Sequence, residues 1–428
     1  MTFYYFALSP QGLQQKMDLF YEYCGHTLLL INAIKSAVAY HGSFRAAQLP
    51  TFHFNGEQVD IVKRYTYVGM VYRTGDFRAF SSIIEPHYTN KAAKARKIAH
   101  AVLHIESMIG CLPVHEGKIL YMGCIDPHLI QGCEVAIDTS PTLIEQLNTI
   151  QLSFFRRLLG LSKTSIKVPI YITETGIIPL HLRRLQLQIR SLAYFIDCPN
   201  NALVRAALNE SIALNSSGHS SWFGDLKQVI EKLAPSAKLP DNNVIISSTE
   251  LVRVSKRSYI LLLHKEPLEN GRLVYHDICM HTYLNDIQNS QHRKALTKFI
   301  TGDHPLAVVR LTWTDNHRLQ VPYDERLCRF CKSGVETPEH ALLSCPHVPL
   351  AVRRNSYLEQ LYILNPNVMA YTNDMIGASY IAYLASCRPF FSILAEWVYE
   401  VTNVYEGSPL YVPYNTKDID HLSLWQYT

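Results

Sequence analysis

The chain has 428 residues, of which 48% are hydrophobic and 18% charged, and this composition predicts a globular protein of two or three domains. Its net charge of +4 is too small to identify a nucleic-acid-binding protein by itself, and no apolar stretch reaches the roughly eighteen residues that a membrane helix needs. The first residues, MTFYYFALSP, lack the basic start of a secretory signal, so we expect none. Seven scattered cysteines, mostly among apolar neighbours, indicate reduced thiols in an intracellular protein: Cys24, Cys111, Cys124, Cys133, Cys198, Cys279 and Cys387.

The front of the chain predicts a helix followed by strands. Ser9 and Pro10 are typical of a helix start. The stretch LLLINAIKSAVAYH (28–41) is strand-like, and TFHFNGEQVDIV (51–62) alternates around Asn55 and Gly56, which predicts a type I′ hairpin. A further strand is expected in RYTYVGMVY (64–72). The helix should present one core-facing stripe, formed by Leu13, Met17, Phe20 and Cys24.

Positive charge is concentrated in two helical segments that follow. The segment 91–104 contains no acid, and 154–190 contains seven basic residues with the single acid Glu174. In the helix after Pro179, Arg183, Gln186 and Arg190 share one side, opposite an apolar stripe of Leu185, Ile189, Leu192 and Ile196. Such a basic face predicts contact with nucleic-acid phosphates, although an ordinary solvated helix face is about as consistent with any one helix. The residues assigned to this surface are Lys91, Lys94, Arg96, Lys97, Arg156, Arg157, Arg183, Arg184 and Arg190.

A Ser/Gly-rich stretch, NSSGHSSWFGD (215–225), predicts a loop or a domain boundary. Residues 244–320 are expected to be mostly helical, with further basic residues at Arg253, Lys256 and Arg257 and later at His292, Arg293, Lys294 and Lys298. Residues 351–428 are apolar and rich in tyrosine, which indicates packed helices with aromatic contacts.

The stretch LCRFCKSGVETPEHALLSC (327–345) has the spacing of a zinc knuckle. Cys328 and Cys331 are separated by two residues, His340 follows, and Cys345 comes just before a proline. Thiolates and imidazole suit Zn²⁺, and four side-chain ligands form a closed, structural site. Thr337 and Pro338 predict a helix start that places the histidine in the first turn, and Pro346 frees Cys345 from helical geometry. His347 is a weaker candidate for the fourth ligand, and a chance cluster is the alternative to a metal site.

Several of these stretches, in this order, resemble a known family. LSPQGLQQKMDLFYEYC, LLINAIKS and RYTYVGMVY are similar to the end of the palm domain of reverse transcriptases from non-LTR retrotransposons, of the type found in fungal genomes. The thumb and C-terminal region of that family resemble ILYMGCIDPHLIQGCE, RRLLGLSKTS, ITETGIIPLHLRRLQLQIRSL and the Cys/His knuckle. The resemblance extends to about residue 350.

The resemblance implies an RNA-directed DNA polymerase whose two adjacent aspartates hold two Mg²⁺ ions. Those aspartates would fall at about Met1 and Thr2, and the sequence has no Asp-Asp pair. We therefore expect a truncated, inactive form, with Mg²⁺ relevant only if a catalytic region lies upstream. Lys35 matches the family's proton donor to pyrophosphate, here as a remnant with no catalytic role. The primer-gripping hairpin is matched by Tyr65, Tyr67 and Gly69.

Together these observations predict an α+β, mainly α-helical fold. The expected divisions are a palm remnant (1–82), a helical thumb-like domain (83–214), a helical connector (215–320), a zinc knuckle (321–350) and C-terminal helices (351–428). The predicted function is RNA or DNA binding by an intracellular, nuclear protein without a membrane partner, with structural Zn²⁺ as its cofactor. The alternative is a zinc-stabilised protein-interaction module without a nucleic-acid role.

Overall fold

The computed structural model describes residues 5–42, 50–77, 79–165, 170, 174–233, 279–314, 320–368 and 377–413. It is mainly helical with a few small strands, which confirms the predicted α+β, mainly α-helical class. The basic residues Lys167, Arg253, Lys256 and Arg257 lie outside the described residues.

The helices and strands are numbered in chain order. The strands are β1 (Ala37–Val38), β2 (Phe52–Phe54), β3 (Glu57–Ile61), β4 (Arg64–Tyr67) and β5 (Met70–Arg73). The helices are α1 (Pro10–His26), α2 (Phe80–His104), α3 (Glu106–Ile109), α4 (Val114–Leu120), α5 (Asp126–Ile130), α6 (Pro141–Leu159), α7 (Leu180–Asp197), α8 (Leu203–Ser216), α9 (Trp222–Leu233), α10 (Tyr283–Asp286), α11 (Ser290–Ile300), α12 (Ala307–Arg310), α13 (Val348–Leu364), α14 (Gly377–Ser386) and α15 (Phe391–Glu406). Short 3₁₀ turns occupy Ala33–Lys35, Tyr323–Glu325 and Arg388–Phe390, and π-type turns occupy Tyr121–Ile125 and His340–Ser344.

The chain divides into two compact units, each assembled from three segments. The first unit contains 1–96, 127–148 and 180–274, and the second contains 97–126, 149–179 and 275–428.

The predicted helix start and the first hairpin of the first unit are confirmed. The Ser9 side chain accepts a hydrogen bond of 3.1 Å from the Gly12 N–H and caps α1. In the β2–β3 hairpin, Asn55 and Gly56 have φ values of 47° and 85°, as a type I′ turn requires. A parallel pairing of β1 with β3 completes a three-stranded sheet in the order β1-β3-β2.

Two strand predictions in this region are wrong. Only β1 within 28–41 is a strand, because Asn32 accepts the Lys35 N–H through its side chain and turns the chain into a 3₁₀ helix. Residues 64–72 form two strands, β4 and β5, because the chain reverses at Val68 and Gly69, whose φ values are 47° and 77°. Such a turn suits the glycine and strains the β-branched valine.

The helical core of the first unit is built by α7, α8 and α9. The predicted apolar stripe of α7 is buried in it, with Leu185, Ile189 and Leu192 each no more than 2% exposed and Ile196 packed at the edge. Side chains from the other two helices and the loop before α6 complete the cluster: Ile137, Leu208, Leu226, Val229 and Ile230.

The core of the second unit is centred on α15, which packs against α11 and α13. Trp397 of α15 is fully buried and stacks on Tyr357 of α13 with ring centroids 6.0 Å apart. This confirms packed, aromatic helices for the described part of 351–428. Among the described residues, no helix is long and apolar enough to cross a membrane.

Candidate functional site

The four predicted metal ligands come together in the second unit. The ligand atoms of Cys328, Cys331, His340 and Cys345 all lie within 4.8 Å of one another. The sulfur atoms of Cys328 and Cys345 are 3.8 Å apart, and Cys331 Sγ lies 3.2 Å from His340 Nε2. Two of the cysteines, Cys328 and Cys345, are fully buried, whereas the other two side chains are half-buried. This Cys₃His cluster could hold a metal ion.

A tight turn positions the first two ligands. Leu327 and Val335 form an isolated antiparallel bridge, and the Cys328 N–H donates to the Gly334 carbonyl over 2.8 Å. Inside this turn, Lys332 adopts a left-handed φ of 54° and donates its N–H to the Cys328 carbonyl. These backbone hydrogen bonds close the loop around the two cysteines.

A wide helical turn positions the other two ligands. Thr337 caps its start, since its hydroxyl accepts the His340 N–H at 3.1 Å, as predicted. The turn from His340 to Ser344 is of the π type, and the Cys345 N–H donates to the His340 carbonyl at 2.7 Å. Because an i→i+5 bond closes this turn, the residue five positions on returns towards the side of the first. Cys345 itself is extended (φ −62°, ψ 125°), as expected for a residue before proline.

Hydroxyl groups support the two outer ligands. Ser333 Oγ donates to Cys331 Sγ at 3.2 Å, and Ser344 Oγ lies 3.4 Å from His340 Nδ1. Such partners fix the orientation of metal ligands. Burial raises the pKa of Cys345 to about 12, with repulsion from Cys328 as a further cause, so this thiol becomes a thiolate at neutral pH only beside a cation.

The two residues between the first cysteines point into the protein. Arg329 forms a buried ion pair of 2.6 Å with Glu336 and also donates to the carbonyls of Pro305, Tyr405 and Ser408. The ring of its neighbour Phe330 stacks on His347, with centroids 4.2 Å apart and planes within 5°. His347 is not one of the clustered ligands, so the weaker alternative for the fourth ligand is not supported. Sequence reasoning missed Arg329 and Glu336, since nothing local shows that this pair joins α15 to the turn.

The predicted basic residues fall into two groups. Lys94, Arg96, Lys97, Arg157 and Arg190 are exposed, whereas Arg156 and Arg183 are half-buried. Arg156 donates to Ser165, and Arg157 lies 3.8 Å from the Glu106 carboxylate. The exposure of Arg190 agrees with the predicted polar side of α7.

The assignment of Arg184 to an exposed phosphate-binding face is wrong. It is 2% exposed and forms two hydrogen bonds of 2.8 Å with the carboxylate of Asp138. It also donates to the Leu129 carbonyl at 2.6 Å and to the Tyr88 hydroxyl at 3.0 Å. Because its hydrogen bonds are all to residues inside the protein, the guanidinium of Arg184 stabilises the core of the first unit.

Lys91 is likewise not on an exposed surface. It is 7% exposed, and its amine donates to the Gln131 side-chain oxygen. Burial lowers its pKa, and repulsion from Lys94 lowers the pKa further. The described residues thus leave Lys94, Arg96, Lys97, Arg157 and Arg190 as the solvent-facing cations of the predicted set.

The positions taken from the palm resemblance occupy the front of the first unit. Lys35 is exposed at the end of its 3₁₀ turn. Tyr65 stacks on Tyr72 at 5.1 Å, Tyr67 is 40% exposed, and Gly69 forms the tip of the β4–β5 hairpin. A Cβ on Gly69 would approach Gln131 Nε2 to 2.8 Å, so this tip packs closely on the chain after α5.

No family model, no curated protein and no solved structure matches this chain.

Proposed function

We propose that Cys328, Cys331, His340 and Cys345 bind one Zn²⁺ ion in a closed structural site. The separation of the two buried sulfurs carries this proposal. Thiolates about 2.3 Å from a tetrahedral zinc lie about 3.8 Å apart, which is the separation between Cys328 and Cys345. Four side chains fill a tetrahedral shell, so no position remains for a reacting water.

The zinc site would join the end of α15 to the rest of the second unit. Tyr405, near the end of α15, lies 3.6 Å from Cys328 Sγ through its hydroxyl, and its carbonyl accepts from Arg329. Because Arg329 and Phe330 pack inward, the loop between the first cysteines offers these side chains to protein rather than to a ligand. The site therefore acts on stability rather than on recognition.

Metal analysis tests this assignment. Purified protein should contain one zinc per chain, and Cys331→Ser should lose it, whereas the exposed Cys124→Ser should retain it. Hydrogen exchange should then rise in 320–350 and stay unchanged in the β2–β3 hairpin, since a knuckle folds with its metal. Equal zinc content in both variants would contradict the assignment.

We further propose that the protein binds RNA or DNA through the exposed cations of α2 and α7, as the reverse-transcriptase resemblance implies. The supporting observation is that Lys94, Arg96, Lys97 and Arg190 face solvent. Phosphate contacts of this kind supply sequence-independent affinity that falls with salt. The resemblance also favours a nuclear place of action, which microscopy of a tagged protein would test. Since the sequence has no Asp-Asp pair, we expect no extension of a primed RNA template by this chain with Mg²⁺, and template-dependent incorporation above a no-protein control would contradict this.

The salt dependence of nucleic-acid binding shows which exposed cations contact phosphate. Changing Lys94 and Arg190 to Ala should weaken binding equally for unrelated sequences and reduce the salt slope by about one per lost contact. Lys232→Ala, an exposed cation of α9 outside the predicted set, is the matched control and should change neither. Unchanged affinity and slope in the double variant would contradict nucleic-acid binding through these helices.

A protein-interaction module is the second candidate, and exposed apolar residues at the front of the first unit favour it. Leu8, Leu28, Leu30 and Ile34 are each more than 90% exposed, and exposed apolar surface can mark a protein contact. If this function is correct, binding of a protein partner should be insensitive to salt and to the substitutions of Lys94 and Arg190. Replacing Leu28 and Leu30 with Ser would then abolish binding.

A further inference from the structure

A cleft of about 670 Å³ lies within the second unit. One wall is the connection from α3 to α4, including Cys111, and the other is the connection from α10 to α11, including Ser290. Its volume falls in the range of small-molecule sites.

Arg293 of α11 lines this cleft and is 6% exposed. One terminal nitrogen donates to the Ile287 carbonyl at 3.0 Å, and the other faces Cys111 Sγ at 3.6 Å. Sulfur is a weak acceptor, and arginine stays charged at all relevant pH values. The guanidinium therefore has good hydrogen-bonding capacity left on the cleft side.

Among the described residues, no carboxylate lies within ion-pair distance of Arg293. Glu174, a buried acid of the same unit, accepts the hydroxyl of Tyr283 instead. Burial of a charge without a counter-charge is costly. This contrasts with Arg184 and Arg329, each of which is buried together with a carboxylate.

The start of α11 adds positive potential on the same side of the cleft. The Asn289 side chain occupies the N–H groups of Gln291 and His292, which leaves the Ser290 hydroxyl and the positive end of an eleven-residue helix. Glu116, which also lines the cleft, is exposed and opposes an anion. The cleft is thus lined by one buried cation, Arg293, and by one exposed acidic residue, Glu116.

We propose that this cleft binds a phosphate group, with Arg293 as its cation and the Ser290 hydroxyl as a donor. The phosphate belongs either to a small phosphate ester or to a nucleic-acid strand. Because Cys111 Sγ contacts the same guanidinium, the bound phosphate covers this thiol. The proposal does not depend on zinc or on the exposed cations of α2 and α7.

Alkylation of Cys111 measures occupancy. Iodoacetamide modification is followed by mass spectrometry of the Cys111 peptide, with inorganic phosphate as the probe. At about nine times the dissociation constant, about one tenth of the molecules remain free, so the rate should fall about tenfold. The exposed Cys124 is the internal control and should react at an unchanged rate. An unchanged rate at Cys111, or equal slowing at both thiols, overturns the proposal.

Matched substitutions identify the charge that holds the phosphate. Ser290→Asp places an acid where a helix start favours it, so folding should persist, but protection of Cys111 should be lost. Ser290→Asn, its neutral counterpart, should retain protection at higher phosphate, and Glu116→Gln should give protection at lower phosphate. Full protection in Ser290→Asp at the wild-type phosphate concentration overturns the proposal. Protection by AMP below the effective phosphate concentration supports a small phosphate ester, and protection by single-stranded RNA but not AMP supports a nucleic-acid strand.

Discussion

The Asp138→Asn substitution tests whether the Arg184 network stabilises the first unit. The change keeps the shape of the side chain and removes its charge. Arg184, 2% exposed, would keep its bonds to Leu129 and Tyr88 but lose the counter-charge that Asp138 supplies. Removing one partner of a buried ion pair leaves the other charge uncompensated and costs about 3–5 kcal/mol.

Hydrogen exchange in α7, measured by mass spectrometry, reports this loss for the first unit alone. A decrease of about 3–5 kcal/mol in opening free energy corresponds to exchange that is about two to four powers of ten faster. Arg190→Met, an exposed arginine of the same helix, is the control and should change stability by no more than about 0.5 kcal/mol.

A double change that replaces both Arg184 and Asp138 with apolar residues should recover much of the loss, because no unpaired charge remains buried. The reasoning is refuted if Asp138→Asn exchanges no faster than Arg190→Met. It is also refuted if Arg184→Met costs more free energy in nucleic-acid binding than in the opening of α7, since Arg184 would then contact a ligand.

Three other perturbations address single positions. Burial holds the pKa of His304 at about 4. The contribution of the neutral imidazole to the free energy of unfolding should therefore be complete above pH 6.5 and fall by about 3 kcal/mol as the pH drops from about 6.5 to 4. His304→Gln should remove this pH dependence from urea unfolding. Gly176→Ala should destabilise the second unit severely, because its φ is +58° and an added Cβ would lie 2.3 Å from the Cys279 carbonyl carbon. Gly218→Ala is the control: its φ is +76° but its Cβ would lie in open space, so the change should cost only about 1–3 kcal/mol. Similar melting temperatures for the two variants would contradict this. Val68→Gly should stabilise the β4–β5 hairpin by about 1 kcal/mol by relieving a left-handed valine, and a lower melting temperature would show that the side chain is needed.

The features that sequence could predict are local ones. A capping serine, an Asn-Gly turn and the spacing of three cysteines and a histidine each depend on neighbours within about twenty residues, and the structure has all of them. Local chemistry also misled where two local rules competed: the side chain of Asn32 ended an apolar, strand-like stretch.

The features that sequence could not predict are partnerships over long separations. The sequence assigned Arg184 to an exposed basic surface and gave no sign of Asp138, which lies 46 positions earlier. Gln188, one turn further on, is also fully buried, so the hidden face of this helix is wider than its apolar residues indicate. In the same way, Arg329 gains its role from Tyr405 and Ser408 near the end of α15.

The interleaving of the two units has a consequence for how the chain is synthesised. The core of the first unit combines Ile137 with residues of α7 to α9, so it cannot close before about residue 233 has left the ribosome. Translation at about 5–20 residues per second makes the interval between Ile137 and residue 233 about 5–20 s. The second unit also includes α15, at Phe391–Glu406, so it is complete only after that helix has been synthesised. Apolar residues that each unit buries therefore stay exposed until its last segment has been made, and a single cut anywhere between residues 97 and 179 separates segments that both units need.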